Sequence, residues 1–198
     1  MLTRRRLLGT TAITAAAAAG WVPRPAFAEE VLRIATMGEP KSLDPHFISG
    51  VWENYVVGDA FMGLLTDAVD AKPIPGAAES WTISDDKLTY TFKLRDGLKF
   101  HDGRPVTTKD VIASLNRWGK KDGVGQRLFG FITKLEAIDD TSFRMVLSQP
   151  YSYVLESLGK TGTSVAIIMR AEDAATDPNT QVKTSIGSGP FKFAMDQW

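Results

Sequence analysis

The sequence predicts an α/β fold, and three observations predict it. Two pairs of runs alternate apolar and polar residues, one amphipathic segment at helical spacing follows a capping threonine, and short unbroken apolar runs occur near residues 31–36 and 164–169. Alternation is the period of a strand with one solvated face, and 3.6-residue spacing is that of a helix with one buried face. An unbroken apolar run suits a strand covered on both sides.

In chain order, VLRIAT (31–36) is the first such buried strand, ending before Gly38 and Pro40. KSLDPHFISG (41–50) is a loop, because Pro45 pushes Asp44 to extended or turn geometry and Ser49-Gly50 closes it. Over residues 51–65 the apolar side chains Trp52, Tyr55, Val56, Phe61, Leu64 and Leu65 recur at helical spacing and predict a helix with one buried face, weakened at Gly58 and Gly63. ESWTIS (79–84) and LTYTFKLR (88–95) form a hairpin across Asp85-Asp86-Lys87, with Tyr90, Phe92 and Leu94 pointing inward. After turns at Asp96-Gly97 and Asp102-Gly103, Thr107 caps a helix whose Asp110 complements the N-terminal end of the dipole. Its apolar face is Val111, Ile112, Leu115 and Trp118, and Gly119 is its expected stop. Residues 135–138 and 142–147 make a second hairpin around Asp139-Asp140-Thr141, directing Phe143, Met145 and Leu147 to one side. A helix through Tyr153, Leu155 and Leu158 follows Pro150, then the buried run 164–169 and a polar stretch at Asp177-Pro178-Asn179. Gly187-Ser188-Gly189-Pro190 reads as a tight turn entering a last strand.

With 198 residues, 43% of them hydrophobic, the chain can bury a real core; having no cysteine, it builds neither a disulfide framework nor a thiolate metal site. The 23 basic and 23 acidic residues balance, but four arginines and no acid lie in the first 28 positions. The remaining 19 bases face 23 acids with no basic stripe, which argues against a nucleic-acid partner. Residues 1–28 have a positive start, an apolar stretch of about 14 residues from Leu7, and Ala26-Phe27-Ala28 at the end, the pattern of a secretory signal peptide rather than a membrane span. Thr3-Arg4-Arg5-Arg6-Leu7-Leu8 resembles a twin-arginine export motif, with general secretion as the alternative; either route leads to the periplasm.

Catalytic groups are sparse. His46 and His101 are the two histidines, 55 residues apart, so no histidine pair has metal-ligand spacing, and His101 beside Asp102 reads as a surface or turn residue rather than a catalytic base. Gly187-Ser188-Gly189 is not a nucleophile elbow, and no phosphate-binding loop occurs. No cofactor, metal or catalytic residue is therefore expected, and a secreted hydrolase would need a concentrated nucleophile or carboxylate site that this pattern lacks.

One segment is far more specific than any spacing. AESWTISDDKLTYTFKLRDGLKFHDGRPVTTKDVIASLNR (78–117) closely resembles the signature of the family 5 extracellular solute-binding proteins, the dipeptide- and oligopeptide-binding components of bacterial ABC importers, at Trp81, Asp86, Thr89 to Phe92, Gly97, His101, Asp102, Gly103, Pro105, Thr107 and Asp110. LRIATMGEPKSLDPH, IDDTSFRMVLSQP and IGSGPFKF are similar to further segments of that family, with Ser188 where threonine is usual. The resemblance implies a periplasmic-binding-protein type II fold, two lobes that enclose a peptide and then dock on permease subunits in the inner membrane. Residues 29–58 and 167–198 would belong to lobe one and 59–166 to the family's β-rich subdomain, the N-terminal portion of a chain of roughly 500 residues whose second lobe is absent. The protein would be a monomer and not an enzyme, and a nickel chelate, haem, a sugar or an opine is the alternative cargo on the same fold. In dipeptide-binding relatives the end of the loop after the first strand lies at the cleft. The matching residues are Phe47, Ile48, Ser49 and Gly50, expected to contact substrate through the Ser49 hydroxyl and the Gly50 backbone.

Overall fold

The first described helix begins where the loop ends. A computed structural model describes residues 35, 38–48, 50–162 and 165–194; the expected signal peptide (1–28), the expected first strand (31–36) apart from one residue, Ser49, and Ser164 of the apolar run lie outside them. Its elements are α1 (Val51–Ala60), β1 (Leu65–Asp67), β2 (Pro73–Pro75), β3 (Ala78–Ile83), β4 (Thr89–Leu94), α2 (Thr108–Lys121), α3 (Gly123–Phe129), β5 (Ile132–Ala137), β6 (Ser142–Leu147), α4 (Val154–Gly159) and α5 (Ala171–Ala174).

The alternating runs become the paired strands of two hairpins, as expected. β3 pairs with β4 through Trp81 opposite Phe92 and Ile83 opposite Tyr90, across a turn in which Lys87 takes a positive φ of 59° and Asp86 Oδ1 accepts the Leu88 N–H. β5 pairs with β6 around Asp139, whose Oδ1 accepts the Thr141 and Ser142 amides at 2.7 Å each. The two hairpins join into one antiparallel sheet of order β3-β4-β6-β5, because β4 and β6 pair with Phe92 opposite Phe143. Those rings stack at 5.0 Å, and Tyr90, Leu94, Met145 and Leu147 are buried beside them. Lys93 and Arg144 point to the solvated face.

Helix α2 covers the buried side of the sheet with Val111, Leu115 and Trp118, and Leu128, Val154 and Leu158 complete this main core. Its start follows the sequence: the Thr107 N–H and hydroxyl both donate to Asp110 Oδ2, while Asp110 Oδ1 accepts the Ala171 N–H from α5. Its end does not. The helix runs through Gly119 to Lys121, because the glycine is needed for packing: a Cβ there would lie 2.5 Å from the Phe129 ring. Asp122 then caps the short α3, accepting the Val124 and Gly125 amides at 3.0 Å each.

Two further expectations are corrected. Helix α1 stops at Ala60 instead of Leu65, and it buries Glu53, Val57 and Ala60 while Tyr55 is 66% exposed. The backbone beyond it is taken up by other strands' partners: Leu64 N–H donates to Ala166 O, Ala78 N–H to Leu64 O and Ile168 N–H to Met62 O. Residues 186–194 form no strand. They lie along the end of α1 instead, with Gly189 N–H donating to Ala60 O and His101 N–H to Gly187 O. A Cβ at Gly187 would sit 1.9 Å from Ala60 O, so the backbones touch as only glycine allows. A second core cluster, Ile48, Val57, Ala60, Phe61 and Ile167, fastens α1 to the run 165–169.

Candidate functional site

The loop 41–50 is held by buried charge. Asp44 is fully buried and accepts Arg117 Nη1 at 2.9 Å, Arg117 Nη2 at 2.8 Å, the His46 amide at 2.9 Å and the Val182 amide at 2.8 Å. Arg117 Nη2 also donates to Thr180 O at 2.9 Å. The forked geometry satisfies both carboxylate oxygens, which a charge removed from water requires. Glu53, on the first turn of α1, accepts the Lys41 amide at 3.0 Å and the Gly50 amide at 2.8 Å, closing the loop onto the helix it precedes.

His46 is buried, 2% exposed. It lies in the Asp44-Pro45 turn, and neither ring nitrogen has a hydrogen-bond partner among the described residues. Burial pushes its pKa down to about 4 and the Arg117 charge pushes the same way, against Asp44, the Ile167 backbone and Asp122. His101 sits in a turn, as expected, with Nε2 3.0 Å from Gly189 O.

The sequence-predicted contact residues have separate placements. Phe47 turns its ring toward α2, with Lys121 Nζ 4.2 Å and Arg117 Cζ 5.6 Å from the ring centre. Ile48 is buried in the α1 cluster. Gly50 caps α1, and Ser49 is outside the described residues.

Beside this loop runs an open groove of about 400 Å³. Val51, Asn54, Tyr55 and Gly58, spaced one helical stripe apart on α1, form one wall; Gly63, Leu65 and Thr66 of the β1 region and residues 160–162, 165 and 167 form the others. Phe47, Ile48 and Gly50 do not line it, although Gly50 leads directly into Val51. Sequence reasoning missed Asn54, Lys160 and Thr161. The only local signal was the α1 stripe, where polar Asn54 and unobstructed Gly58 flank Tyr55. Lys160 Nζ is 2.8 Å from Asp122 Oδ2. Apolar walls carrying a few hydrogen-bonding groups suit a small organic ligand. Among the described residues no cluster of three or more histidines and carboxylates could hold a metal ion.

Known proteins resemble this chain as follows. The family model for bacterial extracellular solute-binding proteins, family 5, matches residues 72–196. A probable peptide ABC transporter periplasmic-binding protein, y4tO of Sinorhizobium fredii, is 43% identical over 126 residues, covering 64% of this chain and 23% of that protein. The glutathione-binding protein GsiB of Pectobacterium atrosepticum is 33% identical over 196 residues, 98% of this chain and 37% of that protein. The structure of the PBP AgaA from A. tumefaciens R10 in complex with agropinic acid superposes with a TM-score of 0.68 at 33% identity, over 79% of this chain and 32% of that one. The chain thus spans about a quarter to two fifths of the length of the proteins it matches.

Proposed function

The chain belongs to the family 5 bacterial extracellular solute-binding proteins, and from that premise we propose that it serves a periplasmic binding component of an ABC importer that captures peptides. Its structure is part of a type II periplasmic-binding-protein fold. The observation that carries the peptide reading is the groove between α1, the β1 region and residues 160–162, 165 and 167: it is open and mostly apolar along its walls, with Asn54, Tyr55 and Thr161 able to serve peptide amides and carbonyls. Relatives named for peptide and glutathione binding support it.

Capture would work by closure. A ligand resting in the groove makes its remaining contacts with a second lobe only in the closed form, so its binding shifts the population toward closure by that difference in affinity. The closed form is what permease subunits would recognise. No step of this is chemical, and the protein would turn nothing over. Residues 29–58 and 167–198 would belong to lobe one and 59–166 to the β-rich subdomain. Export would use the segment 1–28, by the twin-arginine route if Arg5 and Arg6 are both needed, and the mature protein would act as a periplasmic monomer. Phe47 and Ile48 would set the loop's position, leaving the Ser49 hydroxyl as its remaining substrate contact. The AgaA similarity favours a second cargo, an opine.

Titration calorimetry of the mature protein, as its source cell produces it, against trialanine and against agropinic acid separates the two. Micromolar binding of trialanine without hydrolysis is expected. Hydrolysis, or binding of agropinic acid alone, would overturn the peptide reading.

A further inference from the structure

A glycine inside a helix is disfavoured against alanine, because it has more backbone freedom to lose and no side chain to pack. Four other described glycines lie in helices, and packing accounts for three of them: a Cβ would come within 2.5 Å of the Phe129 ring at Gly119, 3.1 Å of the Trp118 ring at Gly125 and 3.0 Å of Asp67 Oδ1 at Gly159. Gly123 is the first residue of α3, outside the helix interior. Gly58 differs from all of them. Its backbone is helical and needs no positive φ, and a Cβ there would meet nothing beyond its own helical backbone within 4 Å. Gly58 also lines the groove, and with only a Cα to present it leaves that stretch of the α1 wall as open space.

Building on the reading of the groove as the ligand site, we propose that Gly58 is a specificity-determining residue whose missing side chain makes room for a bulky apolar side chain of the bound peptide. Helical side chains lean toward the N-terminus, so a side chain at position 58 would lie over the turn that carries Asn54 and Tyr55. Glycine leaves that surface bare. Apart from Asn54 the bared stripe is apolar where a helix facing water is normally polar, with Val51 61% and Tyr55 66% exposed. Phe61, Val165 and Ile167, which share the lining, are apolar too. A charged group gains nothing from such surroundings, whereas a phenyl or branched aliphatic side chain gains by leaving water there. The groove, at about 400 Å³, has room for more than an alanine methyl.

The test is calorimetry on the mature protein with trialanine and with the three tripeptides in which phenylalanine replaces one alanine, for wild type, G58A and G58L, with urea unfolding of the same proteins beside it. Wild type should bind the best phenylalanine peptide about tenfold or more tighter than trialanine, the effect of taking a phenyl ring out of water. G58A should lose part of that preference, and in G58L it should fall to within about twofold. Both variants should unfold at a urea midpoint no lower than that of wild type, since alanine and leucine are better helix formers and nothing crowds the site. A sounder helix with a poorer choice of ligand is not what a merely structural glycine gives. A wild-type protein indifferent to phenylalanine, a G58L protein that keeps the preference, or variants that lose all four peptides equally would each overturn the assignment and leave the peptide reading standing. Wild type that binds none of the four would take the peptide reading down with it.

Discussion

Acidification should unfold this protein through His46, and the size of the effect follows from where that side chain lies. The imidazole is buried, both of its nitrogens lack partners among the described residues, and Arg117 is close enough to oppose a second positive charge. In the unfolded chain the same group titrates at the ordinary value of 6.5, while in the fold it titrates at about 4. Between those two values the unfolded state holds the extra proton, so stability falls as pH drops from 6.5 toward 4 and levels off below. At 1.36 kcal/mol per unit, lowering the pH from 7.5 to 4.5 should cost about 2 to 3 kcal/mol. Urea unfolding of the mature protein at the two pH values, beside a H46L variant of similar volume, isolates the term. The exposed carboxylates held low by hydrogen bonds or ion pairs, such as Asp86, Asp102 and Glu136, are common to both proteins and cancel in the comparison. H46L should lack most of the acid loss and be no less stable than wild type at low pH. Equal losses in the two proteins would refute the reasoning.

Three other outcomes follow from the same structure. R117M should destabilise the mature protein by about 3–5 kcal/mol in urea because it strands Asp44 without its cation, and a D44N/R117M double variant should recover part of that loss. G187A should lower stability by at least about 1–3 kcal/mol, since its Cβ would displace the Ala60 carbonyl; an unchanged melting temperature would mean the close approach is not real. D110A should cost about 2–3 kcal/mol, because one carboxylate serves the Thr107 cap and the Ala171 amide, and loss of helix signal with the unfolding midpoint would report it.

How far the sequence reached depended on whether the deciding contact was local. The β3–β4 and β5–β6 hairpins and the Thr107 start of α2 were legible because alternation, turn residues and a cap lie within a few positions of one another. The end of α1 was not. Phe61, Leu64 and Leu65 continue the helical spacing, but the competing hydrogen bonds come from Ala166 and Ile168, about a hundred residues later. Gly119 misled for a related reason: a stop signal in isolation, it is a packing surface once Phe129 arrives. The burial of His46 was not legible, because nothing near Asp44-Pro45-His46 announces Arg117. The signature at 78–117 located the family but held none of the groove residues, since it encodes the β3–β4 hairpin, the turns after it and most of α2.

The buried pair and the groove belong to one arrangement. A desolvated ion pair is weak evidence for stability, and apolar side chains of like volume commonly replace one without loss. What apolar packing does not supply is direction. Asp44 and Arg117 together bind the loop before α1, the middle of α2 and the segment at 180–182 through geometrically fixed hydrogen bonds. Glu53 then carries that position to the first turn of α1 through the Lys41 and Gly50 amides. The stripe Val51, Asn54, Tyr55 and Gly58 is therefore oriented from behind by buried charge, while the opposite wall at Lys160 is oriented by Asp122 at the junction of α2 and α3. Both walls of the groove are set by carboxylates that do not line it, which is how a surface can stay open to a ligand and still hold its shape before the ligand arrives.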